Sequence, residues 1–358
     1  MESLDALSPE RATPSALPVV PGSSDAPPKF RKRNMRWPIL GGVRFFLALI
    51  VAGAHCSIFA APGAKILALQ YFSGLAAVIG FLVISGYSIA ASYAKKREGF
   101  YGRRALRILP LYVLAIALIA VGPVFFTKIF GPPNTRLLFG NLFLLQGFLV
   151  KSLPGNPVLW TLSLEVFFYL WTPLFARLSQ GVLITLVCIS AIGYGLAYYL
   201  HLPFFTGLLY GSSVPLLGWS WLLGFWIYRS SQSNLTFLLA GAIGGCALSF
   251  NPSFLLYLWP ATWLITIAAV GYGYRFPYHG TLAKVLTLLG DASYPLYLVH
   301  FTVFSFLKVF AKTTSAYSYI LSAIAVSVVL DLAFDKPFKR LVRTVAAKKL
   351  HPTGVGVP

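Results

Sequence analysis

Acidic residues are nearly missing from this chain. Nine Asp and Glu stand against 29 Lys and Arg in 358 residues. Glu2, Asp5, Glu10 and Asp25 lie near the N-terminus and Glu98 lies in a basic loop. Glu165, Asp291, Asp331 and Asp335 remain, each in or beside an apolar stretch, where a carboxylate needs a partner or a proton. Cysteine is also sparse. Cys56, Cys188 and Cys246 form no Cys-x-x-Cys pair, and an odd count excludes a closed disulfide framework. They read as small core residues. No Walker loop, His-Glu-x-x-His, Gly-x-Ser-x-Gly or zinc-ligand spacing occurs, which excludes those nucleotide, peptidase and hydrolase signatures and leaves no metal expected. No internal repeat is visible, which argues against a repeat-built secondary transporter. Charged residues amount to 11%, whereas soluble domains carry about 25%.

Hydrophobic residues make up 57% of the chain. Apolar stretches follow one another near 39–60, 72–94, 108–127, 137–150, 158–178, 181–200, 213–228, 235–251, 254–272, 285–309 and 317–335, with no polar domain between them. This pattern predicts an all-α fold, a polytopic transmembrane helix bundle. Both ends of the chain are basic, which places both on the cytoplasmic side and requires an even number of crossings. The stretch 137–150 is too short to cross roughly 30 Å of hydrocarbon comfortably. With that stretch re-entrant or interfacial, about ten spanning helices remain.

Three segments follow: a disordered, basic, cytoplasmic N-terminal tail over 1–36, a membrane domain over 37–338 and a basic cytoplasmic C-terminal tail over 339–358. The net charge of +20 is gathered in residues 29–36, 95–107 and 336–349, each cluster beside an apolar stretch. Charge so placed reads as cytoplasmic anchoring at membrane lipids, and nucleic acid is a poor explanation. The first apolar run begins near residue 38 behind a basic cluster, so it is expected to insert as an uncleaved signal-anchor.

Within these stretches a few polar residues are conspicuous. Arg44 and His55 are eleven residues apart in the first one, three helical turns plus about 20°, so they share a helix face about 16 Å apart along the axis. Polar groups at such depth are normally turned to a polar cavity and used, and an imidazole suits proton transfer near neutral pH. Glu165 reads either as an ion-pair partner joining helices, with Arg44 as the candidate cation, or as a member of a reactive cavity. Arg104 and Arg107 share a face at the start of an apolar helix, as a topology anchor or as a phosphate site. His300 reads as hydrogen-bonded packing or as a second cavity member. From these residues alone a transporter or flippase for a lipid-linked or small hydroxylated substrate is the alternative to an enzyme.

Six elements in order over about residues 38–340 resemble the integral-membrane acyltransferase 3 family, the O-acyltransferases of bacterial surface sugars. They are Arg44 with His55; Gly80-Phe81-Leu82-Val83-Ile84-Ser85-Gly86-Tyr87; Arg104 and Arg107 followed by Ile108-Leu109-Pro110-Leu111-Tyr112; Trp160 through Pro173; Ser293 to His300; and Asp335-Lys336-Pro337. The chain departs from the family pattern with Gly41 where Asp is frequent and Asp335 where Glu is frequent. The resemblance implies a stand-alone membrane O-acyltransferase, without the appended SGNH-type domain of longer members, in the bacterial inner membrane. It implies acyl-CoA, by family habit acetyl-CoA, as co-substrate, no permanently bound cofactor, and a carbohydrate or glycolipid hydroxyl as acceptor. In that scheme His55 is general base or transient acyl carrier and Glu165 orients His55 or binds the acceptor. Arg44, Arg104 and Arg107 hold the donor, and Trp160, Ser163, Tyr169, Tyr297 and His300 line the acceptor side or cavity.

Overall fold

Uncharged runs of Leu, Ile, Val, Ala and Phe form α-helices in hydrocarbon because a helix satisfies its own backbone groups. The computed structural model describes residues 37–121, 134–197, 199–200, 211–251, 258–273 and 280–350, and among these every regular element is helical. The order is α1 (Trp37–Phe59), α2 (Gly74–Lys95), α3 (Phe100–Val121), α4 (Thr135–Leu142), α5 (Trp160–Arg177), α6 (Gln180–Leu196), α7 (Ser213–Arg229), α8 (Asn234–Ser249), α9 (Trp259–Tyr272), α10 (Gly280–Phe306), α11 (Ala316–Leu330) and α12 (Lys336–Leu350). Serine side chains start several of them. Ser73, Ser179, Ser233 and Ser315 each accept from a backbone N–H of the first turn of α2, α6, α8 and α11.

Five helical stretches are long and apolar enough to cross a membrane: Trp37–Phe59, Gly74–Lys95, Pro157–Arg177, Gly280–Ala311 and Ala316–Val345. The others are shorter or, like α3, begin with arginines. The eight-residue helix α4 ends inside the expected stretch 137–150, and the chain then turns back, with Leu144 and Gly147 at positive φ. Its polar groups point inward. Gln146 is buried and donates to the Tyr112 hydroxyl (3.0 Å) and the Leu159 carbonyl (2.9 Å). Residues 339–350 of the expected C-terminal tail are helical as part of α12, which is entered from α11 by a π-helical turn at Asp331–Asp335. The expected tail 1–36 lies outside the described residues, as do 122–127, 198 and 254–257 of the expected spans and 351–358 of the C-terminal segment.

Two close helix contacts organise the bundle. α1 and α10 run parallel and touch at Gly41 and Gly290, where a Cβ on Gly290 would stand 2.6 Å from the Gly41 Cα. A Cβ on Gly41 would in turn stand 3.0 Å from the Gly290 Cα and 3.1 Å from the Leu286 carbonyl, so a side chain at 41 requires α10 to give by a few tenths of an ångström. α2 and α7 touch at Gly86 and Gly224, where added Cβ atoms would each stand 1.9 Å from a carbonyl oxygen, of Trp221 and Val83 respectively. Small residues allow such approach, and dispersion between the backbones holds it. Around the second contact a ring stack fills the core, with Phe168 and Trp221 stacked at 4.9 Å between centroids.

Gly86→Ala is therefore expected to force α2 from α7 and to lower stability by about 1–3 kcal/mol or more, read as a lower thermal midpoint of the purified protein in detergent. Gly241→Ala, where a Cβ meets nothing within 4 Å, is expected to be neutral or slightly stabilising in the same assay.

Candidate active site

Helical spacing delivers polar side chains from five helices to one interior point. α5 presents Thr161, Glu165 and Tyr169 one turn apart, and α2 presents Phe81, Ser85 and Ser88. α3 adds Arg104 and Arg107, α1 adds Arg44, and α10 adds Ser293, Tyr294 and Tyr297. These side chains enclose a cavity of about 80 Å³. It shares Arg44, Ser88, Arg104, Arg107 and Tyr294 with a larger vestibule of about 1250 Å³ on the side where α1 begins and α2 ends. The vestibule is also lined by Arg103 of α3 and by Lys336, Lys339, Arg340 and Arg343 of α12.

Glu165 does not pair with Arg44. Its carboxylate accepts from the Ser85 hydroxyl at 2.7 Å and from the Tyr169 hydroxyl at 2.5 Å. Arg44 donates to Ser293 Oγ at 3.3 Å, and Arg104 donates to Ser92 Oγ at 3.0 Å. Among the described residues all three ion pairs involve α12: Lys336 with Asp291 (2.9 Å) and with Asp331 (2.7 Å), and Lys339 with Asp335. The inner cavity therefore holds three guanidiniums and one carboxylate, a surplus that suits an anionic ligand.

Tyr297 closes the inner end. Its hydroxyl bonds the Thr161 hydroxyl at 2.8 Å, its ring packs on Phe81 at 5.4 Å, and its other side meets His300, with ring centroids 6.3 Å apart. Asn156 holds the start of α5 against α10 here by donating to the Leu298 carbonyl at 2.7 Å. His300 is fully buried and contacts His55, Nε2 to Nδ1, at 3.1 Å. His300 Nδ1 lies 3.0 Å from the Leu296 carbonyl, which only accepts, so that nitrogen carries the hydrogen. In the neutral ring His300 Nε2 is then an acceptor, and His55 Nδ1 is the donor facing it. The lone pair of His55 is left on Nε2. His55 itself is half-buried, and Phe301 packs edge-on against it at 5.5 Å.

Of the residues singled out from the sequence, Arg44, Arg104, Arg107, Glu165, Tyr169 and Tyr297 come together around the inner cavity. His55 and His300 form a pair beyond Tyr297. His55 is oriented by His300 and not by Glu165. Trp160 and Ser163 line neither cavity. Both are buried, and the Ser163 hydroxyl sits 2.5 Å from the Gln146 carbonyl and 2.8 Å from the Trp160 carbonyl. Sequence reasoning missed Ser85, Thr161, Ser293 and Tyr294. The signal for Ser85 is present in the sequence, since Ser85 and Ser88 are hydroxyls one turn apart in an otherwise apolar run.

A family model described as an acyltransferase domain matches residues 37–332. The chain is also 28% identical over 315 residues to the acyltransferase MdmB of Streptomyces mycarofaciens, covering 76% of this chain and 80% of that protein. No solved structure matches.

The Glu165 geometry makes a stability prediction. Glu165→Gln keeps an oxygen that accepts from Ser85 and Tyr169, and its thermal midpoint should stay close to that of the original protein. Glu165→Leu leaves two hydroxyls without their acceptor, at a cost of about 1–3 kcal/mol for each that stays buried, and should melt distinctly lower in detergent.

Proposed function

The chain belongs to the acyltransferase 3 family, and from that premise we propose that it carries an acyl group, by default acetyl, from acyl-CoA on the cytoplasmic side to a hydroxyl of an exported or cell-surface carbohydrate. A membrane acyltransferase accounts for both the apolar helices and the family match. The proposed arrangement has ten crossings, α1 to α3 and α5 to α11, with α4 re-entrant. The helices of 14 to 17 residues among them are accommodated by local bilayer thinning. The arginines and lysines around the vestibule favour its placement on the cytoplasmic face of the bacterial inner membrane, with both termini on that side.

The observation that carries the reading is the chain of hydrogen bonds from Leu296 through His300 to His55, which leaves His55 Nε2 free to accept a proton. In the proposed reaction the acceptor hydroxyl gives its proton to that nitrogen as its oxygen attacks the thioester carbonyl. The carbon–oxygen bond forms, the carbon–sulfur bond breaks, and the leaving thiolate takes the proton from His55. Transient acylation of His55 before transfer to the hydroxyl is the other route the same lone pair permits. Arg104 and Arg107, at the junction of vestibule and cavity, hold phosphates of the donor. Arg44 lies deeper, about 16 Å below His55 along α1. The acyl-pantetheine arm spans that interval, and Tyr297 turns aside as the arm passes. Glu165 keeps Ser85 and Tyr169 in place along the path, and His300 is a positioning residue that sets the His55 tautomer.

Purified protein given labelled acetyl-CoA and a hydroxylated glycan acceptor is expected to transfer the label. His55→Ala should lower transfer by about 10²–10⁴-fold while the protein still inserts and melts normally. Near-unchanged transfer by that variant rejects the role of His55. His300→Gln retains an oxygen that accepts from His55 Nδ1 and should keep most of kcat, whereas His300→Leu should lose kcat with little change in KM for acetyl-CoA. Replacing Arg104 and Arg107 together by Ala should raise that KM, with a penalty that shrinks at high salt.

A further inference from the structure

The basic face of α12 is not used by the mechanism above. Lys336, Arg340 and Arg343 stand at i, i+4 and i+7 on one side of this helix, and all three line the vestibule. Phe338, Leu341 and Val345 stand on the opposite side and are exposed, an apolar stripe suited to lie on the membrane. The helix is fixed where it begins, because Lys336 bridges Asp291 of α10 and Asp331 of the preceding π-helical turn.

The scarce acids of this end are therefore spent on lysines: Lys336 on two, Lys339 on Asp335. Among the described residues Arg340 and Arg343 have no carboxylate partner and no side-chain hydrogen bond, and both are exposed to the vestibule. Depth then sorts the arginines. Arg104 and Arg107 line both cavities, whereas Arg340 and Arg343 line only the outer one. A coenzyme A ester that sends its thioester inward leaves its nucleotide end outermost. That end carries a ribose 3′-phosphate in addition to the pyrophosphate.

We propose that α12 is a wall of the donor site, in which Arg340 and Arg343 bind the ribose 3′-phosphate while Arg104 and Arg107 meet the pyrophosphate. This rests on the reading of acyl-CoA as donor. The chemistry recognised is a phosphate monoester dianion, for which guanidinium forks are suited. An anionic lipid headgroup offers similar chemistry, but the two arginines face the cavity and not the apolar stripe. It also makes α12 part of the catalytic domain's recognition of substrate, with the membrane holding the helix by its other face.

The test compares acetyl-CoA with its 3′-dephospho form as donors for the full-length protein in phosphatidylcholine nanodiscs, and again in discs containing phosphatidylglycerol. The original protein should show a KM about tenfold or more lower for acetyl-CoA than for the dephospho form, as expected for charge-assisted hydrogen bonds. In the Arg340→Ala, Arg343→Ala protein that ratio should fall to about one in both kinds of disc. A ratio unchanged by the substitutions overturns the proposal while acyl-CoA remains the donor. A defect seen only in anionic discs overturns it too and assigns the arginines to lipid. Turnover of neither thioester by the original protein rejects the donor reading and this proposal with it. Should the alanine pair fail to fold, the Arg340→Gln, Arg343→Gln pair carries the same comparison.

Discussion

The site depends on one backbone contact. α1 and α10 approach at Gly41 and Gly290 until a Cβ on Gly290 would stand 2.6 Å from the Gly41 Cα. With the helices parallel and that close, Arg44 reaches Ser293 and, further along, His55 reaches His300. Both of the costly polar residues of α1 thus find their partners on a single neighbour. Without the contact at Gly41 the arginine would face hydrocarbon or lose its hydroxyl partner, and the imidazole would lose the group that sets its tautomer. Arg44 and His55 find these partners on α10 with a glycine at residue 41.

Charge is distributed by scarcity. A bundle with so few carboxylates cannot neutralise its arginines by pairing, and it does not try. Glu165 is held by hydroxyls, and the aspartates hold the lysines of α12. Among the described residues no carboxylate pairs with these guanidiniums, so their charge remains available to a ligand. Hydroxyl partners such as Ser293 and Ser92 orient Arg44 and Arg104 without cancelling their charge. Desolvated cations are expensive to keep, and an incoming phosphate offsets that expense.

Much of this was legible in the sequence where the evidence is local. Helix class, the shared face of Arg44 and His55, and the pairing of Arg104 with Arg107 follow from spacing along one helix. The unsuitability of residues 137–150 as a span followed from length. What failed needed knowledge of the facing element. Glu165 looked like the natural partner for Arg44 or His55 because few acids exist, yet its neighbours are hydroxyls from α2 and from its own next turn. Trp160 and Ser163 share α5 with Thr161 and Glu165, but neither lines the cavities, and the Ser163 hydroxyl turns to the Gln146 carbonyl. Nothing in the chain between Ile58 and Tyr297 marks His300 as the partner of His55. In the basic C-terminal segment the charge also masks the helical spacing of the apolar residues at i, i+3 and i+7.

Tyr297 has a consequence for the cell as well as for the site. A polar route from one face of a charged membrane to the other is a route for ions, and each elementary charge that leaks dissipates about 2.3 kcal/mol of stored work per 100 mV. In the proposed arrangement the vestibule and inner cavity lie toward one face, and the histidine pair lies beyond Tyr297 toward the other. The ring of Tyr297, tied to Thr161 and packed on Phe81, interrupts the polar file between them. In the proposed membrane arrangement, this one aromatic residue would be the insulator that lets a deep hydrophilic chamber coexist with a membrane potential.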